Sequence, residues 1–296
     1  MVRNKHRGLK RLRFGEYVNL AFLTILAALM LYPILNVLAV SLTPYSISLR
    51  EPWIIFPRKL NLEGYKLVVK DPAFWRSYWN SILVTFGHTA IGLTLTILTA
   101  WPLARKELKG KAFFMGILIF TMVFSAGLVP GYLNIKEMKL LNTLWAVLLP
   151  GITAYNCIIM INFFRNLPYE LVESAYIDGA SEPYILTRVV LPLSMPVIAS
   201  ISLFLAVGMW NGYFNAQIYL KDRELWPMAL YLKEMLVKLS TALEDANGDP
   251  GALQDTLNPK VIQYASIIIS TIPIMSIYPF LQKHFAKGVM VGSIKG

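Results

Sequence analysis

Glu173-Ser174-Ala175-Tyr176-Ile177-Asp178-Gly179-Ala180, followed after eight residues by Val189-Val190-Leu191-Pro192, is a polar interruption between two long hydrophobic stretches. Pro168 suits a first helical turn, and Leu171, Val172 and Ala175 recur at helical spacing, so residues 168–177 read as a short helix with one apolar face. Asp178-Gly179 breaks it, because Gly179 takes a left-handed conformation without steric cost. Ser181, Glu182 and Pro183 then open a second helix that runs into the apolar stretch after Pro192. The result is a helix-turn-helix knuckle lying on a membrane surface, a handle that something else can pull.

The composition demands the membrane. Of 296 residues, 56% are hydrophobic and 15% charged, with mean hydropathy +0.52, too apolar for a soluble domain. Stretches of about 20 mostly apolar residues are long enough to cross a bilayer core. Six are expected, near 17–42, 81–102, 112–132, 142–164, 193–219 and 261–282, which makes the chain one all-α polytopic membrane domain. An even number of spans places both termini on one side.

The net charge of +11 does not point to nucleic acid, because the basic residues sit between spans and at the ends. Arg3, Lys5, Arg7, Lys10, Arg11 and Arg13 precede the first span, and Arg105, Lys106, Lys109 and Lys111 crowd the link between the second and third. Cations near short loops favour the cytoplasm, so both termini, this link and the loop 165–192 are expected inside. The external segment 43–79 also holds six Lys or Arg, and the inner loop holds two against four acids; long external segments and docking loops weigh less in that rule. The basic start followed by apolar residues is read as a first membrane helix, too long for a cleaved signal. Cys157, the single cysteine, lies within the fourth span and excludes an internal disulfide.

Segments 43–79 and 220–260 are the external excursions. In the first, Asn61 to Val69 is expected to form a short helix stopped by Asp71-Pro72. Trp53, Phe56, Trp75, Tyr78 and Trp79 suit the bilayer interface, the alternative being contact with a docked partner. In the second, a helical part is expected near 227–239. The alternation Asp245, Asn247, Asp249 resembles a calcium loop, yet Pro250 and Thr256 stand where the loop glycine and the bidentate Glu belong, so a solvated turn is the reading.

The spans contain almost no ionisable side chain, His88 being the clear interior candidate. Ion-coupled carriers and proton relays need such groups near the bilayer middle. His88 alone reads as a neutral packing residue bonded to a neighbouring helix. No phosphate-binding loop is present: Lys111 follows Gly110, but Ala112 replaces the hydroxyl residue and the upstream glycine is missing. Hydrolase and metalloprotease motifs are absent too. In the fifth span, Trp210, Asn211, Tyr213 and Asn215 combine aromatic faces, which stack on sugar rings, with amides that pair with hydroxyls. The same residues also fit an interfacial belt with amides satisfied between helices. Asn156 and Asn162 share that ambiguity; six apart on a helix, they face different ways, so at most one faces a path.

Glu-Ser-Ala, three residues, Gly179, nine residues, then Val189-x-Leu191-Pro192 resembles the EAA loop of ABC-importer permeases, with Ser174 for the usual alanine and Val189 for the usual isoleucine. The chain resembles the carbohydrate branch of that family, the second permease of maltose-type importers and above all the complex-oligosaccharide and alginate types. The segments Ala126–Leu133, Leu141–Ala146, Gly208–Asn211 and Lys287–Gly296 carry the likeness. The resemblance implies a type I ABC-importer permease of six transmembrane helices, with a cytoplasmic coupling helix that seats in a separate ATPase.

On that resemblance, Glu173, Ala175, Asp178, Gly179 and Ala180 carry the docking, and a glycine-rich tail with Gly292, Lys295 and Gly296 makes a second ATPase contact. It further implies a second permease subunit, two ATPase subunits, an extracytoplasmic solute-binding protein and a saccharide substrate, in the bacterial cytoplasmic membrane. No cofactor is expected in this chain; ATP and magnesium belong to the ATPase. The chain is then a transport subunit and no enzyme. The competing readings are an ion-driven carrier or channel, and a membrane scaffold recruiting a cytoplasmic partner. The identity of the saccharide is not legible.

Overall fold

The computed structural model describes residues 14–44, 47–48, 53–57, 59–149, 153–245 and 259–292. Among them there are helices and connecting turns and no strand. The helices are α1 (Phe14–Ser41), α2 (Glu63–Lys70), α3 (Pro72–Ala104), α4 (Lys111–Val123), α5 (Leu128–Glu137), α6 (Trp145–Leu148) and α7 (Ala154–Arg165). They continue with α8 (Tyr169–Ile177), α9 (Glu182–Leu193), α10 (Met195–Asn211), α11 (Phe214–Tyr219), α12 (Met228–Asp245) and α13 (Pro259–Gly292). By length and composition two described helices can cross a membrane, α1 and α3, or four if the bent pairs α4–α5 and α9–α10 each count as one span.

The chain forms two compact units. One takes the described residues up to Val68 together with Thr241–Ile268, and the other takes Val69–Ser240 and the residues from Ile269 onward. In the first unit, α1 is apolar all round and exposes most of its length, from Tyr17 to Leu38, as a lipid-facing helix does. Its C-terminal end is pinned to the external segment: Asn36 donates to the Ile54 carbonyl at 2.9 Å, and Ser41 and Tyr65 share a hydroxyl hydrogen bond at 2.7 Å. Gly64 meets Val261 so closely that an added Cβ would lie 2.7 Å from its Cγ1.

The second unit is organised around α3. Asp71 caps it by accepting from the Ala73 amide at 2.9 Å, Pro72 follows where its missing N–H costs nothing, and Arg105 in an extended conformation ends it. Its 33 residues span about 50 Å at the helical rise, well beyond the roughly 30 Å hydrocarbon core. The expected span 81–102 is therefore the middle of a longer rod. α3 packs along α7 and α10, and the principal core gathers Met160, Ile161, Phe164, Ile185, Val190 and Ile201 around its C-terminal half.

The other expected spans are less regular than hydropathy suggests. The stretch 112–132 turns by 114° between α4 and α5, where Gly127 adopts φ +84°. The stretch 142–164 is divided into α6 and α7 on either side of residues 150–152, which lie outside the described set. The stretch 193–219 belongs to a pair, α9 and α10, bent by 82° at Ser194 between Pro192 and Pro196, and it stops again at Gly212-Tyr213 before α11. Proline removes the amide that a continuous helix needs, so apolar length alone does not reveal these breaks. The helix expected over 61–69 forms as α2 and ends before Asp71-Pro72; the one expected near 227–239 forms as α12. The basic N-terminal cluster, the calcium-like turn and residues 293–296, with Lys295 and Gly296, lie outside the described residues.

Candidate coupling site

The knuckle folds from its own sequence. α8 begins after Pro168 and closes in a Schellman motif: the Ala180 amide donates to the Ala175 carbonyl at 3.0 Å and the Gly179 amide to the Tyr176 carbonyl at 2.9 Å. Gly179 supplies the left-handed residue at φ +77°, with open space where a Cβ would stand. Ser181 then occupies the N-cap position of α9, which passes through a π-helical turn at Leu186–Val190, a feature frequent at functional sites.

Val172 is buried, and Ala175, Tyr176 and Ala180 pack against the principal core, so the two alanines make their close approach to this chain's own helices. Glu173, Asp178 and Gly179 face outward beside Ile177, which is 82% exposed. Ile177 lay inside the quoted motif, but its apolar character gave no hint that it points away from the core.

What ties the knuckle to the bundle is a cluster that the loop alone does not announce. Trp101 and Arg105, four apart at the C-terminal end of α3 and hence on one face, reach Tyr176 before the turn and Glu182 after it. Arg105 donates to the Tyr176 hydroxyl, which donates to Glu182; Arg105 Nη2 lies 3.4 Å from Glu182 Oε1, and the Trp101 indole donates to Glu182 Oε2 at 3.1 Å. The guanidinium also sits 5.0 Å from the ring centres of both Trp101 and Tyr176. Its side chain is only 18% exposed. Burial, then the bond to Glu182, pushes the Tyr176 phenol up to about 12. Nearby, Glu107 accepts from the Tyr169 hydroxyl at 3.4 Å, and its carboxyl is held below the usual range, first by its own backbone amide. Sequence reading counted Arg105 only among the cations of the link; the i, i+4 pairing of Trp101 with Arg105 was the available signal.

The opposite end of α3 is held differently. Asn80 donates to the carbonyls of Glu224 at 2.7 Å and Trp226 at 3.3 Å, and Ser81 accepts from the Met228 amide at 2.7 Å. Tyr231 donates to Asp71 at 2.6 Å, and burial with the neighbouring carboxylate raises its phenol. Asn142, left-handed at φ +60°, accepts from the amides of Lys221 and Asp222 and donates to the Asp222 carboxylate at 2.6 Å. That is the physical role of an asparagine known from the sequence only as part of a resemblance.

The residues singled out for a substrate path divide. Trp210 is buried, packs edge-on against Tyr78 at 6.0 Å, and borders a cleft of about 250 Å³ with Thr85, Thr89 and Phe86. The hydroxyls of Thr85 and Thr89 are buried there without a hydrogen-bond partner. Asn156 is buried at the start of α7, while Asn162 is exposed. Asn211, Tyr213 and Asn215 are exposed at the break between α10 and α11. Lys233 joins them: its ammonium lies 5.2 Å from the Tyr213 ring centre and donates to Gln217 at 2.5 Å. His88 is buried and its Nδ1 donates to the Leu148 carbonyl at 3.0 Å, a bond to a neighbouring helix. Cys157 is buried. Among the described residues, no His, Cys, Asp and Glu side chains group as a metal site.

A long helical rod, a knuckle clamped to its C-terminal end and apolar helices around it make an all-helical domain with helices long and apolar enough to cross a membrane. The chain belongs to the family of binding-protein-dependent transport system inner membrane components, whose model matches residues 8–291. It is a transport permease component and not an enzyme. It is 42% identical to Protein LplC of Bacillus subtilis (strain 168), over 96% of each chain. It is 38% identical to the polygalacturonan/rhamnogalacturonan transport system permease protein YtcP of the same organism, over 96% of this chain and 99% of that one. Its fold matches a chain in the crystal structure of a bacterial ABC transporter involved in the import of the acidic polysaccharide alginate, with TM-score 0.83 and 31% identity, over 94% of this chain and all of that one.

Proposed function

We propose that this chain is one permease half of an ATP-driven importer of acidic saccharides, crossing the membrane six times with both termini inside. It pairs with a second permease, two ATPase subunits that hold ATP and magnesium, and an extracytoplasmic solute-binding protein. The observation that carries the coupling reading is the Arg105 cluster, which fastens both sides of the Gly179 turn to a rod that spans the bilayer. A pull on the outward face of the knuckle, at Glu173, Ile177 and Asp178, then moves α3 instead of merely bending a loop. Closure of the ATPase pair opens the path outward, and hydrolysis resets it; the binding protein promotes the outward-open form only by preferring it.

The saccharide class is supported from two sides. Two of the similar proteins named above are described as a polygalacturonan/rhamnogalacturonan transport system permease and as part of a transporter involved in alginate import. At the break after α10, Lys233 sets a cation beside the Tyr213 ring and the amide of Gln217, a combination suited to a uronate whose carboxylate and ring face are read together. ATP-driven uptake of oligogalacturonate and of a neutral maltooligosaccharide into vesicles holding the assembled transporter tests this. The acidic sugar alone is expected to accumulate, and Lys233→Gln is expected to weaken its half-saturation roughly fivefold, as for one exposed charge contact. Uptake of the neutral sugar alone sinks the acidic class. Uptake of neither, with no ATPase retained by the complex, sinks the importer reading.

A further inference from the structure

A hollow of about 470 Å³ opens at the C-terminal end of α3. Arg105, Lys106, Lys111 and Arg165 line it, with Glu107 as the single carboxylate. Arg105 is committed to Glu182, Tyr176 and Glu107. Among the described residues, Lys111 and Arg165 hydrogen-bond to backbone: Lys111 Nζ donates to the Arg105 carbonyl at 2.6 Å, and Arg165 to the Leu103 carbonyl at 3.3 Å. Those bonds hold two cations in place over the helix end, Lys106 adds a third, and Glu107 is the single carboxylate set against them.

An apolar groove of about 390 Å³ runs nearby between α3 and α4, lined by Thr99, Leu103, Phe114, Ile117 and Leu118. A third hollow borders both, sharing Arg105 and Glu107 with the basic one and Pro102 and Leu108 with the groove. α4 buries none of its residues in this chain, and Phe113 is 69% exposed at its first turn. The basic hollow thus lies where a helix coated with apolar side chains begins, with the groove nearby along that helix.

We propose that this site binds one anionic phospholipid, its phosphodiester held by Lys106, Lys111 and Arg165 and an acyl chain lying along Leu103, Phe114 and Ile117. A basic pocket at a helix end with an apolar continuation is the arrangement that recognises such a headgroup. The inference rests on α4 being a lipid-facing span and is independent of the saccharide class. Because Lys111 and Arg165 cap α3 and Arg105 sits in the same turn, the bound lipid stabilises the segment that carries the coupling clamp.

Native mass spectrometry of the assembled transporter in mild detergent, with added phosphatidylglycerol, phosphatidylcholine or inorganic phosphate, tests it. Retention of phosphatidylglycerol is expected to exceed that of phosphatidylcholine, and to fall about tenfold in Lys106→Gln/Arg165→Gln, as for loss of two headgroup cations. Should the double variant fail to assemble, Lys106→Gln at its exposed position is expected to lose about threefold, while Lys106→Arg retains the lipid. Equal retention of both lipids, or no loss in these variants, overturns the proposal. Displacement of the lipid by millimolar phosphate assigns the hollow to free phosphate, and lipid found only when the ATPase is removed assigns it to an acidic segment of that subunit; either result overturns it as well. Saccharide uptake in the same preparation separates this outcome from failure of the importer reading.

Discussion

The two ends of α3 are fastened with a different balance of chemistry. Toward the outer end, Asn80 and Ser81 bond to backbone groups of 224–228 and Asp71 accepts from Tyr231, while Asn142, outside α3, bonds to the amides of 221–222. The ion pair there, Arg76 with Glu224 at 2.6 Å, is exposed on both sides and contributes little. At the inner end, Arg105, Tyr176 and Glu182 meet through side chains alone, on a half-exposed carboxylate. Side chains exchange partners where backbone does not. On the proposed function, the outer end would hold a position and the inner end would transmit a displacement.

The sharpest way to break this contrast is at the turn. Gly179→Pro forbids φ +77° and deletes the amide that bonds Tyr176, so ATP-driven uptake is expected to vanish while the two permeases still co-purify. Normal uptake by this variant ends the coupling role of the knuckle. Next is Arg105→Ala, which leaves Glu182 and Tyr176 joined to each other and held to α3 only through the Trp101 indole. A charged hydrogen bond is worth about 1.5–3 kcal/mol, so uptake per ATP hydrolysed is expected to drop about tenfold or more with the ATPase still bound. An unchanged ratio of uptake to hydrolysis shows that the clamp transmits nothing.

The outer end is expected to respond in stability instead. Asn80→Ala leaves two carbonyls unpaired, and Ser81→Ala strands the Met228 amide, each at about 1–3 kcal/mol, read as a lowered unfolding midpoint with the uptake-to-hydrolysis ratio preserved. A lost ratio with the midpoint intact reverses the assignment of the two ends.

The smallest effect is in pH. The Tyr176 phenol is raised from 10.0 to about 12, so the protonated form is favoured in the folded state. Its contribution is complete below pH 10 and is lost as pH climbs toward 12. Tyr176→Phe is expected to show a shallower fall of the unfolding midpoint across that window, the remainder arising from Tyr231 at the outer end. Identical alkaline slopes in the variant and the native chain remove Tyr176 from the clamp.

Hydropathy and the knuckle were legible in the residues because both are local. Apolar length announces a membrane helix, and Asp178-Gly179 announces a turn whatever surrounds it. The breaks at Ser194 and Gly212 were less visible, since Pro192, Pro196 and Gly212 interrupt stretches that stay apolar throughout. Ala175 and Ala180, read as docking residues, are half-buried and also pack on the chain's own core, a contact set by what lies beneath the helix face.

By itself the sequence determined an all-helical membrane permease with a polar handle, since burial in lipid leaves the backbone few alternatives to the helix and glycine chemistry fixes the turn. Only the tertiary structure decided what that handle is attached to. Arg105 and Glu182 are 77 positions apart, and Asn80 and Glu224 are 144. Contacts across such separations depend on how helices lie against one another, which no local pattern encodes.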